Sequence, residues 1–401
     1  MIKIVFVFLV LVSMLPNALF TPPAAARSVT TAGAGASQVV VADVTVFYEP
    51  LTPYGRWFNH TRYGYCWIPN GIVAGWRPYT HGYWDYTDDG WVWVSDDAWG
   101  WGPYHYGRWE FDPGYGWVWI PGTIWAPAWV VWRRGPGFIG WAPLPFEARW
   151  EVGRGLIDFD YDRYVQPQWY CFVGERHFGD RYLDRVIEVP GRNVTIIHNT
   201  TYVTNNYTVV NNRIVNRGIE REEAQRVSGH NFEVHHIQET NVAGGAKVKG
   251  SNVVIYRPTG RDKGPGTPPG AGTPGGGKLS DAESRKLDKQ HQKEQQQLAD
   301  QQSKEKARLE KQHNQELAAA QKQQAKADKR TGGNTTVTQI KSNQENEHQA
   351  HDQRWTKEKD AMSGRHTAEK AGQIPPANYT PPKPPKQSQG NPKPQKQGKK
   401  P

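Results

Sequence analysis

Cysteine is nearly absent from this chain of 401 residues: Cys66 and Cys171 are the only two. That excludes a disulfide-dense scaffold, and no Cys-His spacing of the zinc-finger kind occurs. Hydrophobic residues make up only 37%, which is low for a chain that is globular throughout. The shortage is local, because aliphatic and aromatic side chains almost vanish after about residue 258. One folded β-rich body is therefore expected before that point and an open tail after it. No Gly-rich phosphate loop and no serine elbow occur, so nucleotide-dependent and serine-hydrolase chemistry lack their motifs. Acid is missing from the end of the chain: Lys383, Lys386, Lys393, Lys396, Lys399 and Lys400 face none there. The formal charge of +10 is thus partly a tail property. It does not argue for a specific nucleic-acid groove.

The longest apolar run is short and stands at the start. Lys3 precedes Ile4 to Leu15, broken only by Ser13, and Ala24-Ala25-Ala26 offers small residues before Arg27. Residues 1–26 read as a secretory signal peptide. The run is too short for a comfortable span, so no transmembrane segment is expected once it is cleaved. Residues 27–42, small and polar, read as a disordered leader.

What the chain has in excess is tryptophan. Sixteen of the 18 lie between Trp57 and Trp150, and they repeat. Gly55-Arg56-Trp57 is followed by Gly64-Tyr65-Cys66-Trp67. Gly82-Tyr83-Trp84 is followed by Gly90-Trp91-Val92-Trp93, and Gly107-Arg108-Trp109 by Gly116-Trp117-Val118-Trp119. A Trp-x-Pro connector closes each copy, and a degenerate fourth ends at Gly140-Trp141-Ala142-Pro143. A period of 25 to 27 residues, read from Trp57, Trp84 and Trp109, indicates an array of supersecondary units. Each unit predicts a β-hairpin. Trp91 and Trp93 share a strand face, as do Trp117 and Trp119, and Asp88-Asp89-Gly90 and Asp112-Pro113-Gly114 are turn sequences.

Two readings of the rings stand side by side. A unit of this size cannot bury a conventional core, and each indole covers roughly 150–250 Å², so the rings can serve as the core. Alternatively Trp57, Trp84, Trp93, Trp109 and Trp119 form a stacking surface for a glycan. Asp85, Asp89, Glu110 and Asp112 stand near tryptophans, yet a glycosidase needs two carboxylates held about 5–9 Å apart. Asp89 and Asp112 read as turn residues. No catalytic residues, cofactor or metal site are assigned.

The succession Tyr-Gly-Arg-Trp, Gly-Trp-Val-Trp-Ile-Pro, Trp-x-Pro-Tyr and Gly-Trp-Ala-Pro-Leu-Pro (140–145) resembles a bacterial family of exported proteins with Trp/Gly repeats. That family carries a domain of unknown function. The resemblance covers residues 43–150 and continues through Trp169-Tyr170-Cys171-Phe172-Val173. It implies export and a periplasmic or envelope setting, and it brings no catalytic residues. In an exported chain an even cysteine count argues for a Cys66–Cys171 disulfide, with two buried free thiols as the alternative.

The rest is punctuated by composition. Val44 to Tyr48 alternates like a first strand. Asp158-Phe159-Asp160-Tyr161-Asp162 starts like a calcium loop but has Arg163 where glycine belongs and Trp169 where glutamate belongs. Residues 151–257 suggest a small α+β or β module, with strands at Val194–Ile197, Tyr202–Thr204, Tyr207–Val210, Phe232–Ile237 and Asn252–Tyr256 and a helix from Glu220 to Val227. A Pro/Gly linker, 258–279, precedes a capping-box start at Ser280 and a polar helix over 280–330. Its leucines at 287, 298 and 309 are eleven residues apart, which permits a coil with a partner. So thin a seam favours a solvated single helix acting as a spacer. A second polar helix is expected over 342–371 and a disordered basic tail over 372–401.

The expectation is a mainly β, exported, non-enzymatic envelope protein with a structural or interaction role. Its partners would be cell-wall glycan or an anionic envelope polymer. The alternatives are a glycan-binding module with exposed tryptophans and a cell-wall hydrolase. The oligomeric state is not read from the sequence.

Overall fold

The computed structural model describes residues 43–376 except 152–153, 158, 204–206, 212, 259–267, 269–278 and 328–334. The expected signal peptide and leader, most of the expected linker and the chain beyond residue 376 lie outside the described residues. The hairpin repeat is present in four copies. They are β1 (Gly55–His60) with β2 (Gly64–Pro69), β3 (Gly82–Thr87) with β4 (Gly90–Ser95), β5 (Arg108–Asp112) with β6 (Gly116–Ile120), and β7 (Val130–Gly135) with β8 (Phe138–Pro143). The register explains the repeat. Trp57 faces Trp67, Trp84 faces Trp93, Trp109 faces Trp119, and Trp132 faces Trp141. Each copy thus puts two indoles directly opposite one another, where cross-strand side chains approach most closely. The turn glycines are obligatory at one place in particular. Gly90 has φ 78°, and a Cβ there would lie 2.0 Å from the Asn216 carbonyl oxygen.

The hairpins do not pair in sequence order. One sheet runs β1-β2-β6-β5, joining copies one and three through Trp67 opposite Trp119. The later chain completes the other two copies. After the short ladder of β9 (Trp150–Glu151) and β10 (Gly155–Leu156), β11 (Cys171–Gly174) adds to β8 and β12 (Thr201–Tyr202) to β7. The pair β13 (Tyr207–Val210) and β14 (Arg213–Asn216) extends the sheet of β3 and β4. The strands after residue 150 thus finish sheets begun before it. A small sheet of β15 (His236–Thr240), β16 (Lys247–Lys249) and β17 (Asn252–Tyr256) closes the body.

Two expected strands are helical. Val44–Phe47 is a 3-10 turn running into α1 (Tyr48–Leu51). Asp43 caps it by accepting from the Thr45 amide at 2.9 Å, and Phe47, Tyr48 and Leu51 then fall on one buried face. Val194–Ile197 also fails as a strand: it lies across α3 (Asn193–Ile196), which follows the one-turn α2 (Tyr161–Tyr164). The helix α4 (Arg221–Ser228) forms as expected and ends at Gly229, φ 75°.

The largest departure is at the polar helices. α5 (Asp281–Ala327) and α6 (Thr335–Lys370) pack antiparallel on each other and on the body. Neither is a spacer, and Ile374 is back in a core cluster with Phe58 and Cys66. The seam is polar. Glu283, Glu294, Glu305 and Glu316 recur every eleven residues on α5, and Glu347, Glu358 and Glu369 do so on α6. Glu294 receives Arg365 and His366, Glu305 receives Arg354, Glu347 receives His313, and Glu369 receives His291. The rings of His291 and His366 stack at 3.7 Å. Leu287, Leu298 and Leu309 are buried between these levels. Eleven residues in three turns is close to the natural period, so two nearly straight helices keep register over this length. No helix among the described residues is long and apolar enough to cross a membrane.

Candidate functional site

The helical hairpin meets the β body through apolar contacts, such as Ala368 in the cluster of Phe58 and Ile68, and through polar anchors. Arg354 clamps Glu305 with Nη1 at 2.8 and 2.9 Å, and its Nη2 donates to the Gly75 carbonyl at 2.7 Å. Arg192 of the body pairs with Glu188 at 2.9 Å and also with Glu316 and Glu347 of the hairpin. Arg56 on β1 pairs with Glu369. Between such anchors the two surfaces do not fill the space. One cavity of about 550 Å³ opens between β5, β6, the segment 163–169 and α6. That volume lies in the range of small-ligand sites.

Its walls are of two kinds. Phe111, Trp117 and Trp169 make an apolar side, with Trp117 edge-on to Phe111 at 5.6 Å and to Trp169 at 5.2 Å. Glu110 and Arg77 from the body and Arg354 and Glu358 from α6 make the polar side. Arg77 comes from the first Trp-x-Pro connector and is 5% exposed. Its Nη1 donates to the carbonyls of Gln168 and Tyr170 at 3.1 and 3.0 Å. Among the described residues no carboxylate pairs with it. Desolvation holds its pKa below the usual arginine range.

Both carboxyls in this wall favour the neutral form. Burial raises Glu110 to about 7, opposed by an amide contact from Phe146 at 3.3 Å. Burial raises Glu358 as well, opposed by Arg354. The Glu110 shift makes a stability prediction with a definite sign. Its folded pKa is raised, so the unfolded carboxyl ionises first, and the fold loses stability as pH climbs from the ordinary glutamate range through 7. The loss should be on the order of 3 kcal/mol by pH 8. Glu110→Gln should therefore melt like wild type near pH 4 and clearly above it at pH 8. Parallel melting curves across that range would show that the carboxyl is not desolvated.

The residues singled out in the sequence are placed as follows. Trp57, Trp84, Trp93, Trp109 and Trp119 are all within 2% of full burial. They present no face to a ligand, which corrects the stacking-surface reading. Three spend their indole N–H inside: Trp57 on Tyr48 O at 3.1 Å, Trp109 on Pro103 O at 2.9 Å, and Trp119 on Tyr106 O at 2.8 Å. Two rings outside that set, Trp117 and Trp169, line this cavity. Trp117 sits two residues before Trp119 on the same strand face and stands opposite Phe111. Of the four carboxylates, Asp85 meets His235 at 2.9 Å, Asp89 meets Arg213 at 2.6 Å, and Asp112 meets His60 at 3.1 Å. Only Glu110 and Asp112 line the cavity. In the calcium-like stretch, Asp158 lies outside the described residues and Asp160 caps α2.

The disulfide expectation is also corrected: Cys66 and Cys171 are free and buried. Cys66 packs with Phe58, Ile68 and Val118, whereas Cys171 lies in the main core on the edge strand of another sheet. Its Sγ lies 3.9 Å from the Pro78 carbonyl. Burial pushes both thiols up, which disfavours the reactive thiolate. Neither should label in the native protein, and both should label in denaturant without reductant. One linked peptide pair in a non-reducing map would restore the disulfide.

Residues 48–148 match a family of unknown function (DUF6600), which coincides with the four hairpins. No curated protein and no solved structure matches the chain.

Proposed function

We propose that this is an exported, non-enzymatic interaction protein of the bacterial cell envelope, which holds its partner in the cleft between the β body and the helical hairpin. The observation that carries the reading is the cavity beside Arg77: a buried cation without a carboxylate partner among the described residues, next to an apolar wall. A buried unpaired charge is expensive, so such a group fits a site completed by a ligand. Export rests on the N-terminal pattern and on the resemblance of the repeats. The non-enzymatic reading rests on two of the five carboxyls that line the cavity, Glu110 and Glu358. Acid–base pairs need environments that push two groups apart, and here burial pushes Glu110 and Glu358 the same way. A glycan-binding role is favoured by the same cavity and excludes only the five buried rings as its surface. The basic end after residue 380 supports a second, screened attraction to anionic polymer.

Fractionation tests this reading directly. The protein should be recovered with the envelope and should begin at Arg27 or a few residues beyond. A form lacking residues 377–401 should leave isolated envelopes at lower salt than the full-length protein. Recovery of intact Met1 in the soluble cytosolic fraction would sink the proposal.

A further inference from the structure

We infer that the cavity under α6 binds a sugar acid, a pyranose unit carrying a carboxylate, with Arg77 on the carboxylate and the Phe111–Trp117–Trp169 wall against the ring. This rests on the interaction reading above and names the ligand class of the same site. The argument starts from Arg77. Guanidinium has five N–H donors in a fixed fork that suits a carboxylate. Among the described residues only Nη1 is used on protein carbonyls, and no carboxylate pairs with it. Arg354 lines the same cavity and is 4% exposed, so a second buried cation stands close by. Arg354 is already clamped by Glu305, so of the two buried arginines Arg77 is the one able to take a new anion.

The rest of the lining suits a hydroxyl-rich body behind that carboxylate. Glu110, Gln166, Gln168 and Tyr164 offer both donors and acceptors around the space. The apolar wall is aromatic, and the C–H face of a pyranose packs on such rings. A bare phosphate would satisfy Arg77 but leave the aromatic wall and these hydrogen-bonding groups unused. A neutral sugar would use the wall and leave Arg77 unpaired. A nucleic-acid strand would bring repeated phosphates against Glu110, Asp112 and Glu147, which repel them.

Glu110 gives the site a pH signature. The groups facing it are Arg62 and Tyr63 from the β1–β2 turn, Glu147 from the segment after β8, and Asp112 on its own strand. Arg62 and Glu147 pair with each other. Ionised Glu110 therefore adds an uncompensated negative charge opposite an anionic ligand.

Calorimetric titration of the full chain tests the inference. The probes are a glucuronate-containing tetrasaccharide, the neutral N-acetylglucosamine tetramer, inorganic phosphate and an oligothymidylate. The acidic tetrasaccharide should bind at least about tenfold more tightly than the neutral one, the scale of one charge-assisted hydrogen-bond pair. Arg77→Gln should abolish that preference. Because Arg77 also ties two carbonyls, the variant Glu110→Gln provides a check that does not depend on it. Wild-type affinity for the acidic tetrasaccharide should fall between pH 6 and pH 8, and Glu110→Gln should stay flat. Equal affinity for the two tetrasaccharides, or tighter binding of phosphate or oligothymidylate than of the acidic sugar, would overturn the proposal. Failure here with retained envelope association would remove the sugar-acid ligand and leave the interaction reading standing. Loss of envelope recovery would remove the latter independently.

Discussion

Trp119→Ala should lower stability by about 3–5 kcal/mol, the range for removing a large buried aromatic. The ring is 0% exposed and meets Phe47, Trp57 and Trp67 at centroid distances of 5.2, 6.1 and 6.4 Å. Its N–H donates to Tyr106 O at 2.8 Å, so truncation also orphans a buried carbonyl. It faces Trp67 and Trp109 across two strands, which makes it the joint between copies one and three. The melting temperature should drop on the order of 10 °C. Trp93→Ala should behave alike, except that its N–H has no partner among the described residues, so its loss is packing alone. Trp76→Ala is the control, because that ring is only half-buried at the cleft and should cost less. Unchanged melting of Trp119→Ala and Trp93→Ala would return these rings to the surface.

What the sequence disclosed was local. The hairpins were legible because a strand pair, its turn glycine and its facing tryptophans all lie within one repeat. Trp132 opposite Trp141 shows that even the degenerate fourth copy kept the register. The order β1-β2-β6-β5 was not legible, since the repeats are nearly equivalent and nothing local says that copy one joins copy three. Nor was the completion of the second and fourth hairpins by β14 and β11, which pair with strands far upstream. Val44–Phe47 alternates like a strand, but Asp43 supplies a cap that outweighs alternation. The cavity was hidden for two reasons. Arg77 read as part of a proline connector, and Arg354, Lys357, Glu358 and Asp360 come from α6, a polar helix with no apolar stripe to announce its docking. Hydrophobic period offers one leucine per eleven residues on α5 and none on α6. The same period read in glutamate gives Glu294, Glu305 and Glu316 against Glu347, Glu358 and Glu369, the signal that two helices match.

Glu369→Ala should release the hairpin from the body without unfolding the hairpins of tryptophan. Glu369 is 0% exposed and Arg56 6%, and the residues are joined across 313 positions of chain. Glu369 also accepts from His291 at 2.7 Å, and Arg56 donates to Pro375 O at 3.3 Å. Removing one member of a buried pair costs about 3–5 kcal/mol when the survivor stays buried. Here a cheaper route exists: α6 can lift and let water reach Arg56, so the loss is capped by the docking energy of the helices. The expected signature is local. Amides of α5 and α6 should lose exchange protection and become sites of proteolysis, while the strands of the β body keep theirs. Acid should act in the same direction. Burial lowers His291, with His366 beside it, so the undocked ring binds a proton more readily below the ordinary histidine pKa and docking weakens there. Glu294 is also held low, by His366, Gln290 and Arg365 against its desolvation, so its contribution disappears as pH falls through the carboxylate range. Glu358 and Glu316 are raised and oppose this trend at higher pH. The double variant Arg56→Met with Glu369→Leu separates charge from packing. With both charges gone and volume kept, docking should recover to wild-type protection or exceed it. If Glu369→Ala exchanges like wild type along α6, the pair does not hold the hairpin down.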